Sequence, residues 1–236
     1  MSRDPSDFVL PAADFRSDVE AFAFLDQVPA LTRVKVGMEL QDAQGADVVT
    51  DFVHGGYDVF NDRKIHDIPK TMGADALVHA ARKPEMLNCM SDAGVEGMGL
   101  VADACRQHGV LSVAVTVLTS KSVEECIQQY GRTPREQVLQ VFAPWALEAG
   151  IDILLCSPDE TEAIRSDPRY DGMKIINPGI RPIWTVADGQ TRFTTPTVAI
   201  QRGADYLVVG SPLTDPKYGT PAENFERLCN EIAEAA

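Results

Sequence analysis

The run Val59-Phe60-Asn61-Asp62-Arg63-Lys64-Ile65-His66-Asp67-Ile68-Pro69 holds Asp62, Lys64 and Asp67 within a few residues of one another. In an extended chain side chains alternate between faces, so Asp62 and Lys64 share one face while Asn61 and Arg63 point to the other. Asp67 falls beyond the strand, because Pro69 cannot donate to a central sheet ladder. Two carboxylates beside an ammonium favour its charged form. A lysine held that way is a proton donor and a poor Schiff-base nucleophile. The same residues would also serve as a surface ion-pair network, which contributes little to stability.

Other polar residues collect at comparable places. Arg33–Met38 alternates, with Val34, Val36 and Met38 on one face and Lys35 on the other. Lys35 therefore points into a sheet interior or lies on a solvated edge. Asp14 follows the run Phe8–Pro11, and Thr119 and Ser120 end the run Leu111–Leu118. After Met173–Ile176 come Asn177-Pro178-Gly179-Ile180-Arg181-Pro182, then Gln190 and Arg192; after Tyr206–Val209 come Gly210-Ser211-Pro212. Glycines there leave backbone N–H groups open to an anion such as phosphate, or simply make tight turns.

These positions need a scaffold that brings strand ends together. With Tyr57–Lys64, Met86–Met90 and Asp152–Cys156, eight candidate strands occur in 236 residues. The spacing is about 30 residues, the usual size of a βα unit. Amphipathic stretches separate them. Thr133-Pro134-Arg135-Glu136 is a capping box with proline at the first helical position, opening a helix through Gln137–Glu148. Gly109, Gly150 and Gly203 each precede a strand, where a helix C-cap needs a positive φ. The pattern predicts one α/β domain over residues 1–236, a single (β/α)8 TIM barrel, with a doubly wound open sheet as the alternative. A barrel places chemistry on the loops after its strands, where the polar residues stand.

Composition narrows the function. The chain is 44% hydrophobic and 24% charged, as a globular protein should be, and carries a net charge of -14. That charge disfavours nucleic acid and anionic membranes, so an anionic ligand would need a locally basic pocket. The five cysteines are scattered without a CxxC pair, which points to reduced thiols rather than disulfides or zinc. No apolar stretch reaches the roughly 18 residues of a membrane helix, and MSRDPSDF lacks a signal-peptide core. The expectation is a cytoplasmic protein.

Together the motifs resemble the orotidine 5′-phosphate decarboxylase family over nearly the whole chain. Asp62-Arg63-Lys64-Ile65-His66-Asp67-Ile68-Pro69-Lys70-Thr71 is similar to the family's D-x-K-x-H-D-I-P-x-T signature. Lys35-Val36-Gly37-Met38-Glu39, Val115–Ser120, Cys156-Ser157-Pro158, Pro178–Pro182, Gln190-Thr191-Arg192 and Thr195-Pro196 match in order. The resemblance implies a cofactor-free, metal-free decarboxylase of a pyrimidine nucleotide, working as a homodimer. Lys35, Asp62, Lys64 and Asp67 would form a tetrad of alternating charge, with Asp67, Ile68 and Thr71 crossing from the partner subunit. Lys64 would protonate C6 as carbon dioxide leaves, and Asp62 would face the substrate carboxylate. Asp14 and Lys35 would hold the ribose, Ser120 the pyrimidine, and Gln190 the base and phosphate. Pro178, Arg181, Gly210 and Ser211 would complete the substrate site.

Three departures stand out. The family places arginine after the strand-eight glycine to grip phosphate, and this chain has Ser211; Arg181, Arg192 and Lys217 are the candidate substitutes. Asn61 and Arg63 stand where apolar residues are usual, and Met90-Ser91-Asp92 replaces a common His-Ala. Ser211 motivates one alternative, a paralogue acting on a 6-carboxypyrimidine nucleoside or nucleotide with an altered or absent phosphate. Another is a non-catalytic nucleotide-binding homologue. The related Mg²⁺-dependent keto-sugar phosphate branch fits Lys35, His66-Asp67-Ile68-Pro69 and Gln190 less well.

Overall fold

A computed structural model describes residues 3–186 and 193–235. Its strands are β1 (Val9–Pro11), β2 (Arg33–Gly37), β3 (Asp58–Ile65), β4 (Met86–Met90), β5 (Leu111–Val115), β6 (Ile153–Leu155), β7 (Lys174–Asn177) and β8 (Tyr206–Val209). All pair in parallel in the order β1-β8-β7-β6-β5-β4-β3-β2. The sheet closes on itself where Ala12 bridges Lys35 and the Ala13 N–H donates to the Lys35 carbonyl at 2.9 Å. Closure removes the open-sheet alternative and both exposed edges.

Strand limits fall within one residue of those expected except in β5, which stops at Val115 rather than Leu118. Val115 is opposite the last residues of both neighbours, Met90 and Leu155, and the ladder ends with the Thr116 N–H donating to the Leu155 carbonyl at 3.0 Å.

The helices are α1 (Asp18–Leu25), α2 (Met38–Gln44), α3 (Val48–His54), α4 (Pro69–Ala80), α5 (Gly94–His108), α6 (Val123–Tyr130), α7 (Pro134–Gln137), α8 (Ala143–Glu148), α9 (Pro158–Arg165), α10 (Pro196–Gln201), α11 (Ser211–Thr214) and α12 (Pro221–Ala233). The expected helix over 134–148 is α7 and α8 joined by a π-helical turn, Val138–Phe142. Its capping box forms: the Glu136 N–H donates to Thr133 Oγ1 and the Thr133 N–H to Glu136 Oε2. Gly109 and Gly150 take φ of 71° and 72°, as turns out of α5 and α8 require.

Leu10, Phe60, Met86, Val113, Ile153, Ile176 and Tyr206 fill the inside of the barrel, one from each strand but β2. The alternate residues, such as Val34, Val36 and Val59, pack outward against the helices. Cys89, Cys105, Cys126 and Cys156 are buried free thiols, and Cys229 is half-buried. Among the described residues no helix is long and apolar enough to cross a membrane.

Candidate active site

The alternation that sends Val34 and Val36 outward sends Lys35 inward, toward the C-terminal mouth of the barrel. Gly37 pairs with Asp62 and Lys35 with Phe60, which sets the Asp62 carboxylate just above Lys35. Lys35 Nζ lies 3.0 Å from Asp14 Oδ1 and 3.1 Å from Asp62 Oδ2, and Lys64 Nζ lies 2.7 Å from Asp62 Oδ1. Asp14, Lys35, Asp62 and Lys64 therefore form a chain of alternating charge. Asp14 stands at its solvent end, whereas Lys35 and Asp62 are buried at 7% and 6% exposure.

Burial alone would neutralise both inner groups. It pulls the Lys35 ammonium down, but Asp62 and Asp14 outweigh it and the net displacement is upward. It pushes the Asp62 carboxyl up, but Lys35, Lys64 and the hydrogen bond from Asn88 overcome it and leave the group at about 2. Near neutral pH Lys35 is an ammonium and Asp62 a carboxylate.

Asp62 and Lys64 do meet, but not through simple alternation. Asn61 pairs with Leu87 and Ile65 with Cys89, so β3 advances four residues where β4 advances two. Lys64 sits in this bulge with φ 52°, in the left-handed region that non-glycine residues seldom enter. The Lys64 N–H donates to Asn88 Oδ1 at 2.6 Å, and Asn88 Nδ2 donates to Asp62 Oδ1 at 2.6 Å. Sequence reasoning passes over Asn88. Its signal is an amide in the middle of Met86-Leu87-Asn88-Cys89-Met90, on the inward face with Met86.

Two cavities meet at this charge chain. One, of about 250 Å³, is lined by Lys35, Asp62, Lys64, Thr119, Ser120, Pro178 and apolar strand residues including Val115 and Leu155. The other, of about 410 Å³, is lined by Asp14, Lys35, Gly179, Arg181, Gly210, Ser211 and Thr214, among others. The structure thus brings Asp14, Lys35, Asp62, Lys64, Ser120, Pro178, Arg181, Gly210 and Ser211 to one mouth. Thr119, buried beside Ser120, joins them. Lys217 does not line either cavity; it pairs with Asp215 at 2.7 Å and lies over the Tyr218 ring. Gln190 and Arg192 lie outside the described residues. Among those described, no group of three or more His, Cys, Asp or Glu side chains could hold a metal ion.

Asp67, Ile68 and Thr71 are exposed on the outer side of β3. Asp67 accepts from the Ile68 N–H at 2.6 Å and makes no ion pair among the described residues. A cavity of about 570 Å³ is lined there by Asp67, Thr71, Met38, Arg63, Asp75 and Val78, with others.

The two unusual polar residues of β3 also find partners. Gln41 Nε2 donates to the Val36 carbonyl and to Asn61 Oδ1, both at 3.0 Å. Asn61 Nδ2 is 3.2 Å from His79 Nδ1, which must accept; the ring proton then sits on Nε2, 3.5 Å from Asp75 Oδ1. Burial holds buried His79 below its usual range, against the pull of Asp75 and with help from Arg82 and Arg63. Arg63 lies 3.7 Å from Asp42. Asp92, at the third departure, lies 3.3 Å from His66 Nε2 and accepts from Tyr130 Oη at 3.4 Å.

Comparison with known proteins follows the same lines. Residues 8–228 match the model of the "Orotidine 5'-phosphate decarboxylase / HUMPS family". The orotidine 5′-phosphate decarboxylase of Haemophilus influenzae strain Rd is 38% identical over 220 residues, covering 91% of this chain and 94% of that one. The enzyme of that name from Actinobacillus succinogenes is 34% identical over 230 residues, covering 95% and 97%. The crystal structure of orotidine 5′-phosphate decarboxylase from Lactobacillus acidophilus superposes with a TM-score of 0.80 at 28% identity, covering 95% of this chain and 98% of that one.

Proposed function

The chain belongs to the orotidine 5′-phosphate decarboxylase / HUMPS family, and from that membership we propose that it converts orotidine 5′-phosphate to uridine 5′-phosphate in pyrimidine biosynthesis. The observation that carries the reading is the Lys35–Asp62–Lys64 chain, with Lys35 and Asp62 buried, at the wall of a cavity large enough for a pyrimidine.

The chemistry follows from the charges. Breaking the C6–carboxylate bond releases carbon dioxide and leaves the bonding electron pair on C6. The Lys64 ammonium beside that carbon stabilises the developing negative charge and then transfers a proton to it. The resulting neutral amine regains its proton from water. Asp62 holds Lys64 and Lys35 and faces the departing carboxylate. Asp14 and Lys35 bind the ribose hydroxyls, and Ser120 with Thr119 meets the base. Gly179, Arg181, Gly210 and Ser211 receive the phosphate, joined by Gln190.

Asp67 belongs to the site of a partner subunit in this reading. Its side chain and that of Thr71 line the outer cavity, which Lys64 also borders, and Asp67 makes no ion pair with that lysine. The surrounding surface mixes charged groups such as Arg63 and Asp75 with exposed apolar side chains: Met38, Ile68 and Val78 are 41%, 65% and 57% exposed. A second copy packed there would bury that face and deliver Asp67 to complete the tetrad. The whole barrel serves as one catalytic domain.

The test is to mix purified protein with orotidine 5′-phosphate, without added metal, and follow the loss of its ultraviolet absorbance. Turnover that disappears in Lys64→Ala is the expected result. No turnover, with Lys64→Ala indistinguishable from the parent, defeats the reading. Ser211 favours a second substrate class, and turnover of unphosphorylated orotidine at comparable kcat/KM would establish it.

A further inference from the structure

Lys64 is in an unfavourable place. Its φ of 52° is one of only two positive values at non-glycine residues among those described; the other, Lys83, lies in the turn after α4. A lysine gains nothing by itself from the left-handed region, so surrounding contacts must hold it there. Proline and glycine do not explain the bulge, since neither occurs between Asn61 and Ile65.

The contact that does is on another strand. Asn88 is fully buried on β4, and its amide spans the bulge, accepting from the Lys64 N–H and donating to Asp62, both at 2.6 Å. The orientation of that amide is forced. A backbone N–H can only donate and an ionised carboxylate can only accept, so Oδ1 must face Lys64 and Nδ2 must face Asp62. One side chain thereby fixes the backbone of the lysine and the rotation of the carboxylate that the lysine contacts. Asn88 lines neither active-site cavity, so it has no route to the substrate itself.

We propose that Asn88 is a positioning residue for decarboxylation: its buried amide clamps the left-handed Lys64 backbone to Asp62, holding the Lys64 ammonium at the reacting carbon. No common replacement does both jobs. Leucine matches the volume but leaves the Lys64 N–H and one Asp62 lone pair unsatisfied. Aspartate matches the shape and still accepts from Lys64, but it sets a second carboxyl against Asp62, and the two must share a proton.

Two measurements test this on the full-length protein. The kinetic one rests on the decarboxylase reading. Asn88→Leu should lower kcat about 100-fold, the usual result of misplacing a reacting group by roughly 1 Å, while KM stays within about threefold. The second is independent of turnover: a 13C-carboxyl NMR titration of Asp62, assigned with Asp62→Asn. Losing the amide donor should raise the Asp62 midpoint by about one pH unit or more. Asn88→Asp, which keeps the shape, serves if Asn88→Leu does not fold, and its paired carboxyls should titrate higher still. A folded variant with parental kcat and an unmoved Asp62 titration overturns the proposal, whatever happens to its thermal stability. If the parent itself fails to turn over, the decarboxylase reading falls and the titration alone decides the role of Asn88.

Discussion

The two ends of the cavity are built in different ways. At the end formed by β2 and β3, Asp14, Lys35, Asp62 and Lys64 touch in sequence at 2.7–3.1 Å, and the inner groups are buried. At the end formed by the loops after β7 and β8, the lining is glycine backbone, Ser211, Thr214 and one guanidinium, Arg181. The first end is a closed electrostatic unit. Each buried charge is tolerated only because its neighbours are in place, so removing one member unsettles the rest. The second end is a set of separate donors, so one can change without undoing the others. That asymmetry explains how the family's phosphate arginine can become Ser211 while Lys35, Asp62, Lys64 and Asp67 all remain. The charge chain, two ammoniums against two carboxylates, sums to zero, so in a protein of net charge -14 the locally basic group at the cavity is Arg181, at the other end.

The largest expected effect is at Lys64. Lys64→Ala should lower kcat by about 10⁴-fold or more, since both proton transfer and charge stabilisation are lost. Mixing Lys64→Ala with inactive Asp67→Ala subunits should then restore up to about a quarter of the activity, because one site of each mixed dimer has both residues. Recovery of nothing would mean that Asp67 serves its own chain.

Acid should dissolve the unit next. The Asp62 carboxyl lies at about 2 in the folded protein, below its ordinary 3.8. Its contribution is therefore complete above about pH 4 and is lost as pH falls toward 2, amounting to about 2 kcal/mol. Denaturant titrations of parent and Asp62→Asn should show the parent losing more stability between pH 5 and about pH 2. Parallel curves would show that the charge chain does not stabilise the fold.

At the other end the effect should be smaller and favourable. Ser211→Arg adds a charge-assisted, bidentate phosphate ligand, so KM for orotidine 5′-phosphate should fall about tenfold with kcat little changed. An unchanged KM would mean that the loops already hold the phosphate fully or that the substrate carries none.

The smallest effect lies behind β3, away from both ends. His79 is buried, with Asn61 on one ring nitrogen and Asp75 near the other, and its pKa is lowered chiefly by burial. Below about pH 6.5 the unfolded chain takes up a proton that the folded ring resists, so stability falls with pH by at most about 1.4 kcal/mol per unit. His79→Gln should flatten that slope and leave steady-state kinetics alone. A kinetic change would show that the two faces of β3 are coupled.

Much of the scaffold is legible locally. Strand alternation sends Lys35 inward, the Thr133–Glu136 capping box starts a helix, and Gly109 and Gly150 end two others. These patterns depend on neighbours a few residues away, so the sequence displays them directly. The same holds for Asn61: its amide on the outer face of β3 signals a buried polar partner, but not that Gln41 and His79 supply it.

The amino-acid sequence by itself determined which residues reach the mouth of the barrel, because period-two strands and glycine-rich strand ends are written in consecutive positions. Only the tertiary structure decided how Lys64 is aimed. Alternation alone would have placed it beside Asp62 on a regular strand; instead it lies in a bulge held by Asn88, which is 24 residues away in sequence. Folding likewise separated Arg181, which lines the cavity with Gly210 and Ser211, from Lys217, which is paired with Asp215. The reason is common to both. A hydrogen bond or ion pair between distant segments depends on strand register and loop path, and no local pattern of residue types records either.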